Sequence, residues 1–176
     1  LMKLEYGKRE FNNRMFNIIE LENMVIQKSR LMLQEKNVNM VFNSDKELNV
    51  FADDFYIEQV ITNYLTNAIK NVKEVDGKKI IKIENELLKD KNVVRVKVFN
   101  TGDNISEENI ERIWKRFYKV DESRNRSQGG TGIGLAFVKA IMTNYNMQYG
   151  VINRDNGVEF YFDLSNIENF KSDTSV

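Results

Sequence analysis

The chain of 176 residues contains no histidine, no cysteine and no proline. Without histidine there is no imidazole to act as general acid or base and no Ser-His triad. Without cysteine there is no thiolate nucleophile, no disulfide and no zinc site of the Cys/His type. Oxygen-ligated Mg2+ or Ca2+ stays open, because these hard ions take carboxylate, amide and water oxygens. Charge of one sign is lacking too: 26 basic residues balance 26 acidic ones, so no global field favours nucleic acid or an anionic membrane. No run approaches the roughly 18 consecutive apolar residues of a membrane span, and Leu1-Met2-Lys3-Leu4-Glu5 lacks a signal peptide's apolar centre. The start at Leu1 reads as that of an excised piece, with any membrane anchor expected before it.

What is present suits one domain with its own core: 41% of the residues are hydrophobic and 30% charged. Residues 1 to about 15 are polar and read as a helix end and linker. From Phe16 to Lys36, Leu21, Met24, Val25, Leu31 and Met32 recur at helical spacing and predict one amphipathic helix. Two short β-like runs follow, Val38 to Phe42 and Leu48 to Ala52. Asp53 is placed to cap a helix in which Ile57, Val60, Ile61, Tyr64, Leu65, Ala68, Ile69 and Val72 trace one apolar stripe. The opposite face carries Asn63, Asn67, Lys70, Asn71 and Glu74, again at spacings of three and four.

Strands are predicted at Lys78 to Glu84 and Val93 to Phe99, then a loop at Asn100-Thr101-Gly102-Asp103-Asn104. Ser106 is placed to cap a helix from Glu107 to Phe117, with Ile105 and Ile110 as its hydrophobic staple. Tyr118 to Gln128 is charged and without period. It leads into Gly129-Gly130-Thr131-Gly132-Ile133-Gly134-Leu135 and a second helical stripe of Leu135, Val138, Met142 and Tyr145. A hairpin of Tyr149 to Asn153 and Val158, Phe160, Phe162 and Leu164, turning at Asp155-Asn156-Gly157, closes the domain. The division expected is 1–15 linker, 16–165 domain and 166–176 polar tail. The order of elements suits an α+β two-layer sandwich.

Two features carry chemistry. The glycine run ends at a helix start, where free N–H groups and the helix dipole receive phosphate oxygens; a turn that merely caps the helix is the alternative. Its spacing is neither G-x-G-x-x-G, because position 135 is Leu, nor a Walker A loop, because Gly134-Leu135-Ala136 stands where Gly-Lys-Ser/Thr is needed. Asn63 and Asn67, one turn apart, offer amide oxygens suited to Mg2+ and its waters, and Lys70 on the same face suits a phosphate; a solvated helix face is the competing reading.

Taken in order, four segments resemble those of the ATP-binding catalytic domain of bacterial sensor histidine kinases, of the Bergerat (GHKL) fold shared with type II topoisomerases, Hsp90 chaperones and MutL proteins. Asn63 to Lys70 is similar to the N box and Asn100 to Ile105 to the first glycine box. Trp114 to Lys119 is similar to the F box and Gly130 to Leu135 to the second glycine box. The likeness runs from about Phe16 to Leu164. Leu1 to Lys8 resembles the end of a dimerisation helix, and the segments Tyr149 to Asn153 and Gly157 to Phe160 resemble the subgroup of kinases that senses cell-wall antibiotics or antimicrobial peptides.

The resemblance implies a mixed, mostly antiparallel sheet packed on three helices, with an ATP lid over Tyr118 to Thr131. It implies Asn67 as Mg2+ ligand, and Asn63 and Lys70 at phosphates or their waters. It implies Asn71, Asn100, Gly102, Ile105, Gly130, Thr131, Gly132, Ile133, Gly134 and Leu135 around ATP. Lys119 falls at a basic position near the γ-phosphate, with Arg124 and Arg126 as lid candidates; Asn63 and Lys119 are the catalytic pair. The implied activity is transfer of the γ-phosphate of Mg-ATP to a histidine on a dimerisation domain outside this chain, in a homodimer served by a response regulator and anchored in the cell membrane. A serine kinase acting on a protein partner and a degenerate nucleotide-sensing domain are the alternatives. Hydrolytic relatives place a Glu where this chain has Asn63, which takes no proton at neutral pH, so slow hydrolysis is expected. Three residues depart from the pattern: Asn100 for Asp, which removes charge assistance of about 1 kcal/mol; Asn104 for the box's second glycine; and Asn71 where an aromatic often covers adenine.

Overall fold

A computed structural model describes residues 10–118 and 132–167. Among these, seven strands and five α-helices follow in the order β1 (Arg14–Asn17), α1 (Ile18–Lys28), α2 (Arg30–Glu35), β2 (Asn39–Phe42), β3 (Asn49–Ala52), α3 (Asp54–Asn71), β4 (Ile80–Leu88), β5 (Val93–Thr101), α4 (Glu107–Ile110), α5 (Gly134–Asn144), β6 (Tyr149–Arg154) and β7 (Gly157–Ser165). Strands β2-β4-β5-β7-β6 form one sheet, parallel only between β2 and β4, and β1 pairs with β3 as a separate antiparallel ladder. The expected mixed, mostly antiparallel sheet on three main helices is thus observed.

Alternation along the central strands decides which side chains reach the helices. Val94, Val96 and Val98 of β5 sit opposite Leu164, Phe162 and Phe160 of β7, and all six are buried. The same parity carries Asn100 to the inner face at the end of β5, where it is only 3% exposed. Helix α3 lies across this face. All seven stripe residues that fall within it are buried, and Val72, its C-cap, is buried too. Each such aliphatic side chain contributes about 1.5–3 kcal/mol relative to exposure. Tyr64 fits the apolar stripe because its hydroxyl donates to the Tyr161 carbonyl at 3.1 Å, and burial pushes its ionisation well upward. Asp53 caps α3 as expected, accepting from Phe55 N at 3.1 Å, and it also accepts from Asn12 N at 2.9 Å.

Four sequence expectations need correction. The single helix over Phe16 to Lys36 is instead strand β1 followed by two helices broken at Ser29, whose N–H reaches both the Val25 and Ile26 carbonyls. Its true core residues are Ile18, Ile19, Leu21, Glu22, Val25 and Leu33, whereas Met24, Leu31 and Met32 are exposed. The linker ends before Arg14, since β1 already pairs Arg14 with Ala52. Asn100 and Thr101 belong to strand β5 rather than to a loop, held in the ladder opposite Val158 and Gly157. The helix from Ser106 stops at Ile110 and continues as a 3-10 turn over Arg112–Trp114; the Ser106 side chain makes no capping bond. Trp114 ends that turn by packing edge-on against Tyr149 and Phe160.

Candidate functional site

The polar face of α3 points away from its buried stripe and meets two other segments. Asn63 donates from Nδ2 to the Gln59 carbonyl at 2.8 Å, and its Oδ1 lies against the start of α5. A Cβ at Gly134 would come 2.5 Å from that oxygen, so only glycine lets the helix start approach so closely. One turn on, Asn71 Nδ2 donates to the Asn67 carbonyl at 2.8 Å and to Asn67 Oδ1 at 3.1 Å. This orients the Asn67 amide and leaves its half-buried oxygen a second lone pair. Lys70 stands exposed in the last turn, with no hydrogen bond or ion pair to another described residue.

The second wall is the end of β5 and the loop after it. Asn100 Nδ2 donates to the Thr101 carbonyl at 3.1 Å. Its Oδ1 makes no hydrogen bond to any described residue, so the amide is turned with its acceptor available. Gly102 lies against α3: a Cβ there would stand 3.0 Å from the Asn71 carbonyl. Thr101, which sequence reasoning left without a role, ties the helix end to the sheet. Its hydroxyl donates to the Lys73 carbonyl at 2.7 Å and accepts from Ile80 N at 3.0 Å, while its carbonyl accepts from Lys73 N at 2.9 Å. Its signal was present, since a hydroxyl next to a buried asparagine at a strand end needs partners of its own. Asn153, also missed, exchanges two hydrogen bonds with the Ile105 backbone, at 2.9 and 2.8 Å.

The third wall is the start of α5. Ile133 occupies the N-cap position and supplies no side-chain cap, so the first N–H groups of the helix are not taken by a capping side chain. Phe117 N donates to the Gly132 carbonyl at 2.9 Å, and the Tyr118 hydroxyl donates to Asn109 Oδ1 at 2.5 Å. Lys119, Gly130, Thr131, Arg124, Arg126 and the rest of the expected lid after Tyr118 lie outside the described residues. Leu135 packs against the core. The structure therefore brings Asn63 to Gly134, Asn67 to Asn71, and Asn71 and Asn100 to Gly102. Lys70, on the same helix turn as Asn67 and Asn71, makes no hydrogen bond to them. No cluster of three acidic, histidine or cysteine groups suited to a metal occurs among the described residues.

This geometry agrees with the comparisons to known proteins. The family of histidine kinase-, DNA gyrase B- and HSP90-like ATPases matches residues 52–166, well over half of the chain. The chain belongs to that family. Among its relatives, sensor histidine kinase WalK of Bacillus subtilis is 30% identical over 143 residues, which cover 81% of this chain and 23% of WalK. The nucleotide-free catalytic domain of histidine kinase ThkA superimposes with a TM-score of 0.75 at 32% identity, covering 90% of this chain and 97% of that one. ThkA in complex with response regulator protein TrrA gives a TM-score of 0.72 at 29% identity, covering 94% of this chain and 46% of that one. The chain spans less than a third of the length of the curated relatives it matches. Among the described residues, no helix is long and apolar enough to cross a membrane.

Proposed function

We propose that this chain is the ATP-binding catalytic domain of a sensor histidine kinase, and that it passes the γ-phosphate of Mg-ATP to a histidine on a dimerisation domain. The observation that carries the reading is the approach of Asn63 to Gly134, which sets the polar face of α3 against an uncapped helix start. The start of α5 receives phosphate oxygens through its N–H groups and dipole. Asn67 supplies the amide oxygen for Mg2+, with Asn71 holding that amide in place; the ion contributes charge neutralisation of the phosphates. Lys70 adds a cation at the rim. Asn100 accepts a hydrogen bond from the adenine amino group through the oxygen that its bond to Thr101 leaves available. Gly102 and Ile105 line the base.

Asn63 orders water or phosphate but removes no proton, so this chain holds ATP for transfer rather than spending it on water. Positioning and charge do the catalysis. The whole protein acts as a homodimer through its dimerisation helices, is anchored in the membrane, and hands phosphate to a response regulator. The chain contains no histidine and cannot form phosphohistidine by itself.

The test is incubation of the chain with γ-labelled ATP and Mg2+, with and without a histidine-bearing dimerisation hairpin. Acid-labile label on the hairpin and none on the chain supports the reading. Acid-stable label on a partner serine points to the serine kinase instead. Nucleotide binding without transfer to any of several hairpins points to a nucleotide sensor.

A further inference from the structure

The loop from Gly102 to Ile105 has no secondary structure, yet five hydrogen bonds fasten it to the β6–β7 hairpin. Gly102 N donates to the Asn156 carbonyl at 3.1 Å. Asn104 Nδ2 donates to both the Arg154 and the Gly157 carbonyls, each at 2.8 Å. Ile105 N donates to Asn153 Oδ1 at 2.9 Å, and Asn153 Nδ2 donates to the Ile105 carbonyl at 2.8 Å. Arg154 and Gly157 are the last pair of the β6–β7 ladder. Bridging their two carbonyls takes one group with two N–H donors, which an asparagine amide has and a glycine or a carboxylate lacks. The hairpin end is itself anchored: Arg154 pairs with the buried Glu159 at 2.5 Å, and Gly157 lies directly on Asn100.

We infer that Asn104 is a positioning residue of the nucleotide site, clamping the hairpin end to the loop so that Gly102 and Ile105 stand in their base-lining places before nucleotide arrives. The inference rests on the nucleotide-site reading above. A wall ordered in advance spares binding the entropy of ordering it. The asparagine that interrupts the glycine pattern thus gives back rigidity at the site where Asn100 gives up charge.

Three variants of the full chain test it: Asn104→Asp, which keeps size and shape but loses both donors; Asn104→Gly; and Asn153→Ala, which releases Ile105. Each is titrated with Mg-ATP by calorimetry at a temperature where circular dichroism shows it fully folded, and exchange of the Ile105 amide is followed without nucleotide. The expected result is Mg-ATP binding weakened about fivefold or more, the equivalent of one lost hydrogen bond, with faster Ile105 exchange in every variant. A merely structural role lowers the melting temperature but leaves affinity in the folded protein unchanged. Wild-type affinity in folded Asn104→Asp overturns the inference, and if that variant does not fold, wild-type affinity in Asn104→Gly and Asn153→Ala does so. Failure of the unaltered chain to bind Mg-ATP at millimolar concentration overturns the nucleotide-site reading itself, and the inference with it.

Discussion

Asn85 on β4 donates its amide to Glu22 on α1 at 2.7 Å, inside a core where the glutamate has no exposed surface. The second carboxylate oxygen, Glu22 Oε1, and the amide oxygen, Asn85 Oδ1, are buried without a partner. A protonated carboxyl brings the donor that this pair of acceptors lacks. Desolvation favours the same form, pushing the Glu22 carboxyl up to about 8 despite the opposing hydrogen bond from Asn85.

The pH dependence of folding follows from that shift. The folded-state value lies above the unfolded one of 4.5, so the contribution of Glu22 is fully present below about pH 4.5 and is lost as pH rises through about 8. Between these limits stability falls by up to about 1.4 kcal/mol per pH unit. Glu22→Gln keeps a neutral group with a donor for Asn85 and removes the titration. Urea unfolding at pH 6 and pH 8 is expected to show the unaltered chain losing about 2 kcal/mol more than the variant. Equal losses in the two proteins rule out a neutral Glu22.

Removing the cap of α3 tests the helix that carries the site. Asp53 Oδ1 accepts from Phe55 N, and Oδ2 accepts from Asn12 N. Asp53→Ala is expected to cost about 1–2 kcal/mol, the upper range for a cap because a second bond is lost with it. Asp53→Asn retains an acceptor for Phe55 and loses less. Melting temperatures of the two variants in one buffer check the order, and a harmless Asp53→Ala contradicts it.

How much of this was legible in the chain depended on range. The stripe of α3 and the alternation of β5 and β7 are local periodicities with buried partners on one side, so they read correctly. The hairpin read correctly because its turn residues adjoin its strands. Glu22 was invisible because hydrophobic patterning skips a carboxylate, and without it Met24, Leu31 and Met32 completed a false stripe. β1 was missed because its partner β3 lies some thirty-five residues away and Met15-Phe16 fits either period. Asn63, Asn67 and Asn71 were legible as one face of a helix. The work of Asn104 was not, since its two acceptors lie 50 and 53 residues further on.

Asn100 gives a prediction in which stability and affinity move in opposite directions. Asn100→Asp places a carboxylate at a position 3% exposed and removes the donor to Thr101, so the nucleotide-free chain is expected to melt lower. The Thr101 carbonyl still accepts from Lys73 N, which limits the damage. The same carboxylate makes a charge-assisted bond to the adenine amino group, worth about 1 kcal/mol, or roughly fivefold in Mg-ATP affinity. Calorimetry and thermal melts on one preparation read both effects. Weaker ATP binding by the folded variant removes the base-reading role of Asn100.

The contact between Asn63 and Gly134 predicts coupling. In Gly134→Ala the added methyl group meets Asn63 Oδ1 at 2.5 Å, below any tolerable separation, and the side chain nearest it must move. Moving it breaks the bond from Asn63 to the Gln59 carbonyl, at a cost of about 1 kcal/mol. Asn63→Ser removes the clashing oxygen, so Gly134→Ala is expected to destabilise the Asn63→Ser background less than the unaltered chain. A double-mutant cycle on unfolding free energy measures the difference, expected at about 0.5–1 kcal/mol. Mg-ATP binding separates the two consequences: relief of the clash returns stability, but affinity stays low because the start of α5 no longer faces Asn63. Additive stabilities in the cycle contradict the contact, and recovered affinity in the double variant contradicts the role assigned to Asn63.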